Sequence, residues 1–255
     1  MLLLEKTGEN CLIVIDNNRV ETSEQVILGF KQRSKFDLLY LHEEEIGIVY
    51  MRNRALIEAS RIGATHLAFI DDDELATTGW IKELYKALIR YKAQVVQGTT
   101  ERILPEGTPN WLIKSNVLQL KRHSTGQIRT SAGTRNVLFD LRFINQHNLR
   151  FNPVFNFMGS SDSFFFHQAY LKGGKIVWVD EARVKEILPQ NRVDVGWIIQ
   201  RSFRMGVTDF EMKKQLGAYF SIFNTLLMYI MRLFLFAILS ILSLPFNRGI
   251  SLKLF

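Results

Sequence analysis

The chain has 255 residues, 47% hydrophobic and 22% charged, which allows a sizeable core and excludes disordered and coiled-coil classes. Its single cysteine, Cys11, excludes an internal disulfide and a cysteine-built zinc site, and points to a reducing compartment. The formal net charge is +7, but Lys and Arg are scattered and not interleaved with aromatics, which argues against nucleic acid and for phosphates on a nucleotide or lipid headgroup.

The amino-terminal MLLLEKTGEN has no basic start and is not read as a secretory signal. Short apolar, β-branched runs predict strands at residues 11–15, 37–41, 66–70 and 93–97. Amphipathic periodicity predicts helices at 23–32, 47–63 and 79–91 between them. Strands without polar alternation, separated by such helices, imply an α/β fold with a mostly parallel sheet covered on both faces. Ligands of such sheets bind beyond the carboxyl ends of the strands, so function is sought just after each apolar run. Residues 101–133, with Pro105, Gly107, Pro109 and Gly126, read as an excursion over that face. A strand at 136–139 and a helix at about 163–171 restore the rhythm.

From 216 to 246 the only charge is Arg232, and no polar stripe is visible. Arg232 divides the run into pieces each shorter than the ~20 residues of a straight span. A tilted span, a re-entrant hairpin and an in-plane helix all remain open. Arg201, Arg204, Lys213 and Lys214 precede the run and favour a cytoplasmic flank, which points to the cytoplasmic face of the inner membrane.

The run at 66–70 ends directly in Asp71, Asp72, Asp73 and Glu74. Four consecutive acids repel one another, and a divalent cation would relieve this while gripping substrate phosphates, as Mg²⁺ or Mn²⁺ does. The bland alternative is an acidic approach to the following helix, although helix capping needs only one or two acids. A phosphatase using an aspartyl-phosphate is a rival, but Leu75 stands where a Thr or Val would be expected. Asp162, after Gly159, Ser160 and Ser161 at a helix start, is either a plain cap or a general base. The five histidines show no paired-ligand spacing, and no P-loop or GxGxxG is present.

Taken in order, these segments resemble the family-2 inverting glycosyltransferases of GT-A fold, many of which build bacterial surface polysaccharides. VIDNN resembles the family's second strand, which implies that Asp16 contacts the nucleotide base. GIVYMRNRAL resembles its G…ARNxAL helix, which places Arg52 and Asn53 near the nucleotide. FIDDDE followed by GW resembles the DxD loop, with Asp73 as principal metal ligand and Asp71 and Asp72 supporting metal and ribose. GTRNVLFD resembles the acceptor-side strand and points to Asn136, while MGSSDSFFF resembles the segment carrying the base, which selects Asp162. ARVKEILPQNRVDVGWIIQRSFRMG resembles the closing segment, with Arg201 and Arg204 toward the diphosphate.

The resemblance covers roughly residues 1–206, read as a GT-A domain, and leaves 207–255 as a membrane-associated helical tail. It implies a nucleotide-sugar donor, a divalent metal (Mn or Mg), a saccharide or lipid-linked saccharide acceptor and a membrane surface. Two departures stand out. Ser161 and Phe164 replace the acids that usually flank the base. The family's first strand is also expected to be absent, with residues 1–4 ending a helix instead, so the natural protein is expected to begin upstream or to be a truncated copy. Two other readings are carried: a catalytically inactive, membrane-attached scaffold, and a nucleotidyltransferase on a similar fold.

Overall fold

The computed structural model describes residues 2–6, 9–18, 23–31 and 36–243. Met1, Gln32 at the end of the first predicted helix, and residues 244–255 of the tail lie outside them. In chain order the elements are β1 (Leu2–Lys6), β2 (Glu9–Asp16), α1 (Glu24–Lys31), β3 (Asp37–His42), α2 (Ile48–Arg61), β4 (His66–Phe69), β5 (Glu74–Ala76), α3 (Trp80–Tyr91) and β6 (Val95–Ile103). Then follow α4 (Asn110–Ser115), β7 (Ile128–Arg129), β8 (Val137–Asp140), α5 (Leu141–Gln146), α6 (Ser161–Leu171), β9 (Ile176–Ile187), α7 (Val195–Gln215) and α8 (Tyr219–Ser243). The chain divides into two compact units, residues 1–205 and 206–255.

The sheet of the first unit has the order β3-β2-β1-β4-β8-β6-β9-β5, with β7 also on β9. The expected mostly parallel sheet is mixed. Strands β2, β3, β4, β6 and β9 share one direction, but β1 and β8 each lie between two of these and run against both. The expected helix end at residues 1–4 is corrected: Leu2–Lys6 form a strand. It pairs antiparallel with β2 (Leu2 opposite Ile13) and with β4 (Leu2 opposite Phe69). The slot predicted to stand empty between β2 and β4 is therefore filled, and neither neighbour presents the bare edge that an empty slot would leave.

Burial on both faces explains why the strands read as unbroken apolar runs. Alternate residues point to opposite faces, so Leu67 and Phe69 of β4 join one core and Ala68, with Ile70 just beyond, joins the other. Strand β8 divides the same way, with Val137 and Phe139 on one side and Leu138 on the other. Helix α3 covers the second core with Trp80, Leu84, Ala87 and Leu88, the i, i+4, i+7, i+8 spacing of one helix face. The first core is aromatic: Phe151 stacks on Phe165 at 4.0 Å, and Phe139 meets Phe166 edge-on at 5.5 Å. Each such ring contributes ~1.5–3 kcal/mol through burial. Together they fix the first turn of α6, where Asp162 sits.

In the second unit α8 is one uninterrupted helix of 25 residues that passes straight through Arg232. A continuous helix removes the re-entrant hairpin. Its segment Tyr219–Leu239 has a mean hydropathy of 2.0 and none of it is buried, so by length and composition it is able to cross a membrane.

Candidate active site

The carboxyl ends of β2, β4, β6 and β9 open into one cleft of about 980 Å³. Its lining includes Asp16, Arg52, Asp71, Asp72, Asp73, Asp162, Arg201 and Arg204, eight of the residues singled out from sequence. Residues far apart in the chain meet here because like-directed strands end together, as the position of functional residues in open α/β sheets requires.

The acidic turn resolves its own repulsion. The Asp71 amide donates to the Glu74 carboxylate at 3.1 Å, and the Glu74 amide donates back to the Asp71 carbonyl at 3.2 Å. Glu74 thereby swings inward, where it also accepts from the Thr100 hydroxyl at 3.1 Å. Burial pushes its carboxyl up to about 7, so its neutral form is favoured relative to an ordinary glutamate. Asp71, Asp72 and Asp73 are left facing the cleft. Crowding by the cleft walls raises the Asp71 carboxyl first, with Arg52 and Arg135 opposing and Asp73 and Asp162 adding to it. Among the described residues no three His, Cys, Asp or Glu side chains converge into a ready-made cage for a metal.

Arg52 forms the floor between the acids. Its guanidinium donates to Ser161 Oγ at 2.7 Å and to the Thr134 hydroxyl, and lies 5.6 Å from the centre of the Phe151 ring. Burial pulls it below the ordinary arginine value, while Asp162 and Asp71 hold it charged. Asp162, in the first turn of α6, accepts from the Thr134 amide at 3.3 Å and from the Ser163 amide at 2.7 Å. One of its oxygens is thus only weakly engaged within the protein.

Asp16 is spent differently. Its carboxylate accepts from the Asn18 amide at 3.0 Å, the Ser23 amide at 3.2 Å and the Tyr40 hydroxyl at 3.1 Å. Burial opposes its ionisation, yet these bonds together outweigh it and bring the carboxyl down to about 2. It ties Asn18 and Ser23 to the end of β2 at the edge of the cleft.

Across from the acids stands a wall of arginines that the sequence did not single out in full. Glu186, buried on β9, receives Arg102 at 2.8 Å, Arg192 at 3.5 Å and Arg135 at 3.9 Å. Arg192 also lies 3.8 Å from Asp73, so it spans from wall to acidic turn. Arg201 stacks over Trp197 at 5.1 Å. Burial, then the nearby Arg102, Arg135 and Arg204, lowers its guanidinium to about 10, with Glu186 opposing. One acid serves several cations there, and the surplus suits a polyanion. No spacing in the sequence announces this grouping, since its members come from β6, the segment before β8, β9, the turn after β9 and α7.

Asn53 and Asn136 are not brought into the cleft. Asn53 Nδ2 donates to the Phe151 carbonyl at 2.9 Å and its Oδ1 accepts from the Phe151 amide at 2.9 Å, which clamps α2 to the chain before α6. Asn136, fully buried, donates to the carbonyls of Thr99 and Ala182 at 2.8 Å each and accepts from the Trp80 indole at 2.5 Å. It brackets β6, β9 and α3 behind the site.

This geometry has relatives. The profile described as "Glycosyl transferase family 2" matches residues 3–163. The succinoglycan biosynthesis protein ExoM of Rhizobium meliloti (strain 1021) is 30% identical over 203 residues, or 77% of this chain and 63% of its own length. The chain therefore spans less than two thirds of that curated relative. Among solved structures, S. aureus TarS 1-349 in complex with UDP-GlcNAc superposes with a TM-score of 0.53 at 15% identity, covering 70% of this chain and 49% of that one. GalNAc-T7 with UDP, GalNAc and Mn2+ gives 0.52 at 14% identity, covering 69% and 37%. At these identities the likeness shows the fold, GT-A, whose sheet ends in the cleft just described. With the profile spanning more than half its length, the chain belongs to glycosyl transferase family 2.

Proposed function

We propose that the protein transfers a sugar, with inversion, from a nucleotide-sugar donor to an acceptor hydroxyl in polysaccharide or glycolipid synthesis at a membrane. The observation that carries this reading is the meeting, in one cleft, of three open carboxylates (Asp71, Asp72, Asp73), a separate carboxylate (Asp162) and an arginine wall. The relative's role in succinoglycan biosynthesis and the UDP and UDP-GlcNAc carried by fold neighbours support the donor class and the acceptor class.

The residues fit a divalent cation of the Mn²⁺ or Mg²⁺ kind. Such ions take one or two carboxylates and complete their shell with water and phosphate oxygens, so the lack of a three-acid cage is no obstacle. Asp73, supported by Asp71, would hold it, with Asp72 near the ribose. When bound it neutralises charge on the departing nucleoside diphosphate. Arg192 sits 3.8 Å from Asp73 and would be available to the donor's phosphates if a cation took its place there. Arg201 and Arg204 donate charge-assisted hydrogen bonds to the same phosphates, the role their place on the wall supports. Asp162 takes the proton of the acceptor hydroxyl, which attacks the anomeric carbon from the face opposite the leaving group. Arg52 sets a positive charge against both Asp71 and Asp162. Asp16 holds Asn18, Ser23 and Tyr40 at the edge of the pocket, beside the place proposed for the base. The apolar α8, with Lys213 and Lys214 before it, supports a chain attached to the cytoplasmic face of the membrane.

The test measures nucleotide-sugar turnover and, separately, donor binding by calorimetry with Mn²⁺. Asp162→Asn should bind donor normally and lose transfer by ~10²-fold or more. Asp73→Ala should abolish metal-dependent donor binding. Near-normal turnover in Asp162→Asn would remove that residue from the role of base, and metal-independent donor binding in the wild type would remove the cation.

A further inference from the structure

Helix α7 is apolar on the side where a soluble helix is polar. Val195, Ile199, Phe203, Val207 and Phe210 recur every three or four residues and so share one face. All five are exposed, Ile199 at 64% and Phe203 at 76%. The opposite face is already used: Trp197 and Ile198 pack on the small core of Leu112, Leu118, Leu188 and Val193, and Thr208 is buried. The exposed stripe is therefore a second apolar face, running from Val195 to Phe210 with no charge among its five members.

Three features fit a lipid surface as the occupant. At the end of the helix Lys213 and Lys214 pair with Asp209 at 2.7 Å and Glu211 at 3.6 Å, so the charge complementary to anionic headgroups is the chain's net +7. A short turn at Gly217 then leads directly into α8, whose exposed surface is largely apolar, with Arg232 its one charged residue. A helix with one packed face and one bare apolar stripe, continuous with such a segment, has the pattern of an interfacial helix.

We propose that α7 lies in the plane of the membrane, with this stripe seated in the headgroup region of an anionic bilayer. The proposal rests on the membrane reading given above. It assigns α7 a second task, because Arg201 and Arg204 on other sides of the same helix line the cleft. The arginine wall is then held within about one helix diameter, ~10 Å, of the lipid surface. An acceptor anchored in the bilayer would meet the cleft without leaving the membrane.

The experiment places single cysteines in the full chain carrying Cys11→Ser, at Ile199→Cys, Phe203→Cys, Leu227→Cys on α8 and Lys172→Cys on the exposed end of α6. Each is labelled with an environment-sensitive fluorophore and mixed with vesicles of phosphatidylcholine and phosphatidylglycerol containing nitroxide lipids. Labels at 199 and 203 should be quenched by headgroup-depth nitroxides, and the label at 172 should not. Quenching at 227 without quenching at 199 and 203 overturns the proposal and leaves membrane attachment intact. Absence of quenching at all four positions overturns both. Labels at 199 and 203 that are shielded from aqueous iodide but untouched by lipid nitroxides also overturn it, and identify a protein partner or second copy instead.

Discussion

Asn136 is where the family resemblance and the observed structure part most clearly, and the difference can be measured. The resemblance places it beside substrate, whereas its side chain is consumed by the Trp80 indole and the carbonyls of Thr99 and Ala182. Replacing Asn136→Ala strands all three inside the protein. The indole N–H costs ~2 kcal/mol, and each carbonyl, which keeps a second lone pair, ~1 kcal/mol. The backbone at Asn136 has φ 54°, where alanine adds ~1 kcal/mol. The sum is about 5 kcal/mol, a large share of the ~5–15 kcal/mol that holds a domain together. With a urea m-value of about 3 kcal/mol/M, the unfolding midpoint should fall by roughly 1.5–2 M. Tryptophan fluorescence of the full chain in detergent follows this directly, because Trp80 is one of the reporters. A midpoint within about 0.3 M of wild type, together with lost donor binding, would refute the reasoning and return Asn136 to the ligand.

A side chain at Gly98 would collide with the Ala182 carbonyl and the Asn136 amide, so Gly98→Val should lower stability by ~3 kcal/mol or more in the same urea assay. Asp16, held at about 2 against an ordinary 3.8, contributes stability that is fully present above pH ~4 and fades as pH falls toward 2. In acid titrations followed by circular dichroism, Asp16→Asn should be less stable at neutral pH and should lack that part of the acid limb. Glu74 has the opposite sign: raised from 4.5 to about 7, it keeps its proton in the fold after the unfolded chain has lost it, so stability declines between those values. Glu74→Gln should gain on wild type as pH rises from 5 to 8, and a pH-independent difference in urea midpoint would contradict the assignment.

Much of the fold was legible because two-sided burial leaves a plain trace. The runs containing Ile13, Leu38, Leu67 and Val95 all became strands, since each supplies residues to a covered sheet. Strand β6 continues past the predicted 97 to Ile103, because Thr99 and Thr100 are polar residues whose hydroxyls bond to Asp180 and Glu74 instead of water. Strand β1 was misread because LLLEK is short enough to suit a helix end, and only pairing with β2 and β4 selects the extended form. At the site, the acids adjacent in sequence were visible. Arg102, Arg135, Arg192 and Glu186 were not, because their grouping arises from folding and no local pattern encodes it. Asn53 and Asn136 lie in motifs that suggested ligand contact, but their amides hold backbone together behind the cleft.

The antiparallel β1 has a mechanical consequence. Within the sheet, every hydrogen-bonded route from the β2–β3 pair to β4 passes through its five residues. Among the described residues, the lobe that carries Asp16 is thus joined to the acidic turn by one narrow seam of ladder bonds, supplemented by side chains such as Ile13 in the first core. Loosening that seam would let one wall of the cleft part from the other while β4, β8, β6 and β9 stayed together, so the proposed donor site would come apart before the body of the domain did.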